Sequence, residues 1–369
     1  MSEEQRYFKR ADFMKFVHER TNVRRVLIIR NGLLGDIVSI TSVLRRLNDT
    51  FPGVTIDAVV GPQAVSVLKN FKHVQNIYPF NFNYSAISVL KQIFFFRGLH
   101  KNNYDIVIVQ EANTHFTIMG KIVGGKFLIG FTNSYAGLYD YCVTRPDKKM
   151  VLSEAATVQE WTNNIIDRAE IVVTGDELLG VKRKLSEEGI DSGKNIAVIH
   201  YGSSNPNSDR QWVLERFSKV ADHIIEKHHL EVVFTGIPGD MENVSLIQSK
   251  MRNKSISMAG KTNVRELMAM IKMSKLVLAP DTGTVHIATA LDVPTIMLIG
   301  LSNPDDTGPY SPLDIAHIVR ADVPCAPCVY AQPKPAQWKY CKTARPVTCM
   351  DLLTADMVIA AVDKVLGEY

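Results

Sequence analysis

Arg25-Val-Leu-Ile-Ile-Arg30-Asn-Gly-Leu-Leu-Gly35-Asp36 is the stretch of the chain that decides the fold. Its first six residues form a short apolar run typical of a buried strand, a glycine-containing turn follows, and a helical pattern of apolar residues begins at Ile37. The order is therefore strand, tight turn and helix. Asp36 starts that helix, where backbone N–H groups favour an ionised carboxylate, either for chemistry or as a simple helix cap.

The same alternation of strands and helices continues along the chain. Further strands are predicted at 55–60, 104–110, 126–130, 195–200, 230–235, 276–279 and 295–299, with helical patterns between them, over 154–184 and at 351–366. Strands that alternate with helices build a parallel sheet covered by helices on both faces. The predicted fold class is α/β.

Two domains are expected from the 369-residue length and from a polar, glycine-containing stretch at 187–194. We place an N-terminal domain at 1–185 and a C-terminal domain at 186–369, each a doubly wound sheet facing a central cleft. Ligands of such sheets bind outside the carboxyl ends of the strands. The loops that begin at Arg30, His200, Gly236 and Pro280 are therefore expected to line the cleft.

Composition excludes several classes of protein. Hydrophobic residues make up 46% and charged residues 22%, and a net charge of +4 is too small for a nucleic-acid-binding surface. No secretory signal or membrane span is recognisable, so a cytoplasmic location is expected. Basic, apolar stretches at 6–20 and 88–101 leave two uses open, which are packing on the parent domain and peripheral contact with an anionic membrane surface.

A diphosphate site is predicted where the strand at 276–279 ends in Asp281-Thr282-Gly283-Thr284. Backbone N–H groups of Thr282, Gly283 and Thr284 converge on an anion at such a helix start. His286 follows on the first helical turn, either as a phosphate or sugar contact or as a structural hydrogen-bonding group.

The polar loop after His200 is predicted to be a phosphate clamp formed by the hydroxyls of Ser203 and Ser204 and the cation of Arg210. A nicotinamide cofactor is disfavoured, because the turn with Gly32 and Gly35 lacks the G-x-G-x-x-G spacing.

Four of the five cysteines lie within 25 residues, at Cys325, Cys328, Cys341 and Cys349. One C-x2-C pair with two looser cysteines indicates a structural zinc or iron site, packed thiols or disulfides. A four-thiolate site would leave no open position for a substrate, so any such ion is not catalytic.

Taken in order, these segments resemble the ADP-heptose:lipopolysaccharide heptosyltransferase family, glycosyltransferase family 9. The N-terminal motifs are 26–30, Gly35-Asp36-Ile37-Val38, 41–45 and 51–52. The C-terminal motifs are Gly260-Lys261-Thr262, Asp281-Thr-Gly283 with His286, and Thr307-Gly-Pro-Tyr310.

The resemblance implies a GT-B fold with two Rossmann-like domains, the N-terminal one binding the acceptor and the C-terminal one the nucleotide sugar. It implies inverting transfer of heptose from ADP-heptose to a lipopolysaccharide-core or related lipid-linked acceptor, without a catalytic cofactor. Asp36 would be the general base, and Asp281, Thr282 and Gly283 would hold the donor. Asp240 is a candidate for the ribose hydroxyls, and Arg210 stands where family members often carry lysine.

A second class of function stays open at this point, namely a non-catalytic nucleotide-sugar-binding or assembly protein that retains the GT-B fold. The presence of Asp36, Asp281 and Arg210 together favours the enzyme.

Overall fold

The structure is a computed structural model that describes residues 3–82, 85–132, 135–146, 148–191, 193–202, 210–328 and 348–367. The chain divides into two compact units, Met1–Ile171 and Val172–Tyr369. The division comes before the predicted boundary at 185/186, because helix Gly175–Glu187 belongs to the second unit. There Glu177 accepts a 2.9 Å hydrogen bond from Arg265 Nε, and Lys184 donates to Glu266 over 2.9 Å.

The first unit contains a six-stranded parallel sheet in the order β3-β2-β1-β4-β5-β6. Its strands are β1 (Arg25–Arg30), β2 (Thr55–Val60), β3 (Asn76–Pro79), β4 (Ile106–Val109), β5 (Phe127–Phe131) and β6 (Tyr141–Val143). Its α-helices are Glu3–His18, Leu34–Thr50, Val65–Leu68, Ala86–Leu99, Thr114–Val123 and Met150–Gln159. β1 is predicted correctly to the residue, since its apolar run is buried on both faces.

The second unit repeats this plan with a sheet in the order β12-β11-β10-β7-β8-β9. Its strands are β7 (Ile196–His200), β8 (Glu231–Thr235), β9 (Ile256–Ser257), β10 (Ser274–Pro280), β11 (Thr295–Leu298) and β12 (Ala316–Val319). Its α-helices are Gly175–Glu187, Leu214–His228, Met241–Ser249, Val264–Met273, Gly283–Ala290, Pro304–Thr307, Thr348–Leu352 and Ala355–Gly367. All strand pairs are parallel, as the alternation predicts.

The helical prediction over 154–184 is wrong for its middle part, because the chain has no helix between Gln159 and Gly175. This segment contacts Arg46, a fully buried side chain of helix Leu34–Thr50. Its guanidinium donates to the carbonyls of Asn163 (2.6 Å) and Ile165 (2.9 Å), so these carbonyls are satisfied outside a helix.

The N-terminal helix Glu3–His18 packs on its own unit. Phe13 is buried against Phe127 and Trp161, with ring centroids 5.3 and 5.2 Å apart, and Val17 is buried too. These apolar side chains of the helix are therefore packed within its own unit. Over the described part of the chain, no helix combines the length and hydropathy that a membrane crossing needs.

Candidate active site

The first unit's candidate site lies where the sheet order reverses, beside β1 and β4. Both strands are parallel and neighbouring, so the residues that follow them meet at one edge of the sheet. Arg30 ends β1, and Glu111 comes shortly after β4. The Arg30 guanidinium donates to the carbonyl of Gln110 over 2.8 Å and so joins the two strand ends.

Arg30 sits among three carboxylates, and we call these four residues the Arg30 cluster. Its guanidinium nitrogens lie 2.8 Å from Asp36, 3.0 Å from Glu111 and 3.1 Å from Glu154. Arg145 also contacts Glu154, at 3.2 Å. Side-chain exposure separates the three acids, with 29% for Asp36, 16% for Glu111 and 0% for Glu154. Asp36 is thus the acid most open to a substrate.

The Arg30 cluster shifts the protonation of its members. Burial raises the pKa of Glu111 to about 7 despite the nearby charge of Arg30. Burial also raises the pKa of Glu154, against the opposing charges of Arg30 and Arg145. Burial lowers the pKa of Arg30, but the charges of Glu154, Glu111 and Asp36 outweigh it and the net shift is upward. Arg30 is therefore permanently charged, and the cluster retains a proton near neutral pH.

Asp36 is held from two sides. Its Oδ1 accepts from Arg30, and its Oδ2 accepts from the backbone N–H of Leu33 at 2.8 Å, so it also caps the helix start. Gly32 is required by this arrangement, because a Cβ there would lie 2.7 Å from Asp36 Oδ2. Gly35 is buried in the first helical turn. The predicted capping role of Asp36 is therefore observed, and its role in chemistry stays a prediction.

The second unit's candidate site lies at the carboxyl edge of β7 and β10, which are also neighbours. Arg210 donates from Nη1 to the carbonyl of Asp281 at 2.8 Å, and its Nε lies 3.4 Å from Asp281 Oδ2. Its side chain is partly exposed, while Asp281 is buried. The structure thus brings together the predicted cation and the predicted Asp-Thr-Gly turn.

The Asp-Thr-Gly turn opens helix Gly283–Ala290, with Thr282 as its N-cap. The Thr282 hydroxyl oxygen is buried and has no hydrogen-bond partner among the described residues. Thr284 and His286 are buried on the first turn. An unpartnered hydroxyl and the N–H groups of a helix start favour an anionic or hydroxyl-bearing ligand.

Asp240 packs against two glycines at the carboxyl edge of β7 and β8. A Cβ at Gly202 would lie 2.0 Å from Asp240 Oδ2, and one at Gly236 would lie 2.7 Å away. The same oxygen accepts from the backbone N–H of Ile237 at 2.9 Å, and burial raises the pKa of Asp240. The carboxylate organises this loop, and its contact with a ribose stays a prediction.

A model of glycosyltransferase family 9 (heptosyltransferase) matches residues 93–339. The chain belongs to this family. It is 26% identical over 300 residues to the lipopolysaccharide core heptosyltransferase OpsX of Haemophilus influenzae, covering 79% of this chain and 83% of that protein. This family 9 member is therefore a glycosyltransferase of the heptosyltransferase type, as the motifs predict.

Solved structures of family 9 proteins share its fold. The glycosyl transferase family 9 structure from Veillonella parvula matches with a TM-score of 0.80 at 20% identity, over 94% of this chain and 98% of that one. The E. coli ADP-heptose lps heptosyltransferase II matches with a TM-score of 0.75 at 17% identity, over 93% and 99%. The predicted GT-B class, with two Rossmann-like doubly wound sheets, is confirmed.

Some predicted site residues of this family 9 enzyme fall outside the described part of the chain, namely Ser203, Ser204 and Cys341. The described cysteines do not support the predicted zinc or iron site, because Cys325, Cys328 and Cys349 do not form a group with all three sulfurs within 4.8 Å of one another. Cys349 is buried in the apolar core of the second unit, Cys325 packs against that core, and Cys328 is buried.

Sequence reasoning missed Glu111 and Glu154. Glu111 directly follows a predicted strand, so the rule that selected the loop after Arg30 would have selected it as well. Glu154 carries no such signal, since it lies inside a helix and meets Arg30 only through the fold.

Proposed function

We propose that this glycosyltransferase moves heptose from ADP-heptose to a hydroxyl of a lipopolysaccharide-core or related lipid-linked saccharide, with inversion at the anomeric carbon. The names of two relatives support the substrates: a lipopolysaccharide core heptosyltransferase and an ADP-heptose lps heptosyltransferase. The observation that carries the mechanism is Asp36, a partly exposed carboxylate fixed by Arg30 and Leu33 at the edge of the first sheet.

In the proposed step Asp36 accepts the proton of the acceptor hydroxyl as its oxygen attacks the anomeric carbon. The new C–O bond forms on the face opposite to the leaving group, and the bond between the anomeric carbon and the ADP oxygen breaks with both electrons going to ADP. Arg30 orients the carboxylate and stays protonated throughout. The step uses no metal or cofactor.

The second unit is proposed to hold the donor. Arg210 supplies a cation for the diphosphate, and the N–H groups of Thr282, Gly283 and Thr284 supply donors that stabilise the charge on departing ADP. His286 stands beside them, Asp240 is the proposed ribose contact, and Ser203 and Ser204 are proposed phosphate contacts. The first unit would then bind the acceptor.

A lipid-linked acceptor requires the enzyme to work at a membrane surface, and we propose peripheral contact with the cytoplasmic face of the inner membrane. Helix Ala86–Leu99 of the first unit supports this, since Ile87, Leu90 and Phe94 are exposed along one side of it. We call these three residues the apolar ridge. The exposed cations Arg97 and Lys101 follow it in the sequence and suit anionic lipids.

Replacement of Asp36 by asparagine tests the mechanism. Asp36→Asn keeps a hydrogen-bonding group at the helix start but removes the proton acceptor, so we expect the transfer rate to fall about 10²- to 10⁴-fold while ADP-heptose affinity is retained. Asp49→Asn, an exposed acid on the same helix, is the matched control. Full activity of Asp36→Asn would overturn the mechanism.

Thermal unfolding with a panel of nucleotides tests the donor. A ligand present at about 100 times its Kd stabilises the folded protein by roughly 2.7 kcal/mol, which moves the unfolding midpoint by several degrees. We expect this for ADP-heptose and a smaller shift for ADP, with none for UDP-sugars, GDP-sugars or NADH. A selective response to another nucleotide sugar would leave the fold assignment unchanged and would mean that a different sugar is transferred.

The four-cysteine stretch carries a separate proposal, a structural zinc or iron ion on Cys325, Cys328, Cys341 and Cys349, which rests on the spacing of the thiols alone. Elemental analysis of purified protein tests it. A content below about a tenth of an equivalent per chain would contradict it.

A further inference from the structure

Two histidines and one aspartate converge where the C-terminal helix Ala355–Gly367 packs against helix Leu214–His228. His223 Nε2 lies 2.7 Å from Asp363 Oδ1, and His228 Nε2 lies 2.8 Å from the same oxygen. In the described ranges, this is the one group of three or more His, Cys, Asp or Glu side chains with ligand atoms all within 4.8 Å. We call it the His-His-Asp group.

The directions of the three side chains suit a metal ion. The imidazole rings are not stacked, with planes 63° apart and centroids separated by 5.8 Å, and both Nε2 atoms are directed at one carboxylate oxygen. Ligands about 2.0–2.1 Å from a tetrahedral zinc ion lie roughly 3.3 Å from one another. The observed nitrogen–oxygen distances are about half an ångström shorter, so a small outward rotation of these side chains would admit the ion.

The surroundings supply the remaining features of a metal site. All three side chains are only partly buried, which leaves a path for the ion and room for water as a fourth ligand. Lys227 donates to the other carboxylate oxygen, Asp363 Oδ2, at 2.8 Å. This contact fixes the carboxylate with Oδ1 facing the imidazoles, which is the role that outer hydrogen bonds have around metal ligands.

The position of the group argues for a structural ion. His228 lies at the amino edge of the second sheet, because it lines a cavity with Asn195, Leu230 and Ser274, which stand at the start of β7, β8 and β10. Arg210 and Asp281 lie at the opposite, carboxyl edge of this sheet. An ion here cannot reach a donor bound at Asp281.

We propose that His223, His228 and Asp363 form a binding site for a borderline divalent cation, with Zn²⁺ as the ion that the two imidazoles and one carboxylate fit best. The bound ion would tie the C-terminal helix to helix Leu214–His228. The site is separate from the cysteine stretch and does not depend on the proposed transfer reaction.

Zinc binding to the full-length protein tests this site. Chelator-treated protein is titrated with Zn²⁺ in competition with a chromophoric chelator, and wild type is compared with His223→Gln and Asp363→Asn. We expect each variant to bind one equivalent fewer than wild type, or to bind that equivalent more than about tenfold more weakly. The control is His229→Asn, which removes the adjacent exposed imidazole and tolerates the left-handed backbone of that residue (φ 55°).

Cobalt as a spectroscopic probe separates this site from the cysteines. Co²⁺ at the His-His-Asp group gives visible bands without thiolate charge transfer, and we expect His223→Gln to remove only those bands. Zinc should also raise the unfolding midpoint of wild type by several degrees more than it raises that of His223→Gln. Equal zinc stoichiometry and equal affinity in wild type and both variants, or an equal loss in His229→Asn, would overturn the proposal.

Discussion

Arg30 donates a hydrogen bond to Asp36 Oδ1 over 2.8 Å while the same guanidinium contacts Glu111 and Glu154. One cation therefore orients the proposed base and compensates the buried Glu154 and the partly buried Glu111. The strand end that supplies Arg30 and the helix start that supplies Asp36 are only six residues apart, so the local strand-turn-helix geometry sets their distance. The two glutamates reach the same guanidinium from elsewhere in the unit.

Removal of the Arg30 charge should destabilise the first unit. Arg30→Ala leaves three carboxylates without their common partner, and breaking a buried ion pair in this way costs about 3–5 kcal/mol. Arg30→Lys should lose less stability than Arg30→Ala. Its rate of heptose transfer should still be lower than that of wild type, because an ammonium cannot contact three acids in fixed directions. Urea unfolding and initial rates measure the two effects.

The matched control for Arg30 is Arg97→Ala, an exposed arginine of the same unit. We expect it to change stability by less than about 0.5 kcal/mol. An Arg30→Ala protein as stable as this control would show that the cluster does not depend on its cation.

The raised pKa of Glu111 predicts a pH dependence of stability. The folded chain keeps this carboxyl protonated up to about pH 7, whereas the unfolded chain releases the proton near the ordinary pKa of 4.5. The folded state binds more protons between these values, so this group makes stability fall as pH rises through that window and level off above it. Glu111→Gln should remove the fall and be more stable than wild type at about pH 8, by up to about 3 kcal/mol.

Urea unfolding of wild type and Glu111→Gln at about pH 5 and about pH 8 measures this difference. Glu187→Gln, an exposed glutamate, should keep the wild-type dependence. Identical pH profiles for wild type and Glu111→Gln would contradict a protonated Glu111.

The central strands were predictable from the sequence, and the edge strands were not. β1, β2, β7 and β8 are buried on both faces and are mostly apolar, with Asp57 as the charged exception inside β2. The strands that the sequence did not predict are β3, β6, β9 and β12, which are the edges of the two sheets. An edge strand such as Asn76–Pro79 is short and half-exposed, so apolar runs do not mark it.

Some contacts of the candidate site are marked by a local sequence pattern, and others are formed only by the fold. Asp36 and Asp281 each lie within six residues of a strand end, and the contact of Asp36 with Arg30 is set by the local turn. Arg210 lies ten residues after β7, and its contact with Asp281, 71 residues away in the sequence, depends on the fold. Glu154 depends on how helix Met150–Gln159 packs across helix Leu34–Thr50, which no local pattern records. The non-helical segment after Gln159 likewise meets a side chain distant in the sequence, Arg46, which donates to two of its carbonyls.

The apolar ridge predicts membrane binding by the first unit. Phe94 is 74% exposed, whereas its neighbour Phe95 packs on Phe80 with ring centroids 4.5 Å apart. Phe94→Ser should therefore weaken binding to anionic vesicles by about tenfold or more, as expected for an aromatic ring withdrawn from an apolar phase. Leu179→Ser, an exposed apolar residue of the second unit, should bind like wild type. If Phe94→Ser and Leu179→Ser bound vesicles equally in cosedimentation, the apolar ridge would not be a membrane contact.

Substitution of Thr282 tests whether its unpartnered hydroxyl binds a ligand or supports the fold. Thr282→Val keeps the shape of the side chain and removes a buried oxygen that has no partner in the described structure. Stability without nucleotide should stay level or rise by about 1 kcal/mol, since an unsatisfied buried polar group is unfavourable. ADP-heptose affinity should fall about tenfold, because a ligand hydrogen bond of about 1.4 kcal/mol is lost.

Thr289→Val is the matched control for Thr282, because its hydroxyl already donates to the carbonyl of Val285 at 3.2 Å on the same helix. Its loss should leave ADP-heptose binding unchanged and cost about 1 kcal/mol of stability. Urea unfolding and calorimetric titration with ADP-heptose give both quantities for each variant. If Thr282→Val lost stability and bound the donor like wild type, the hydroxyl would serve the fold, and the donor diphosphate would have to be placed away from the Asp-Thr-Gly turn.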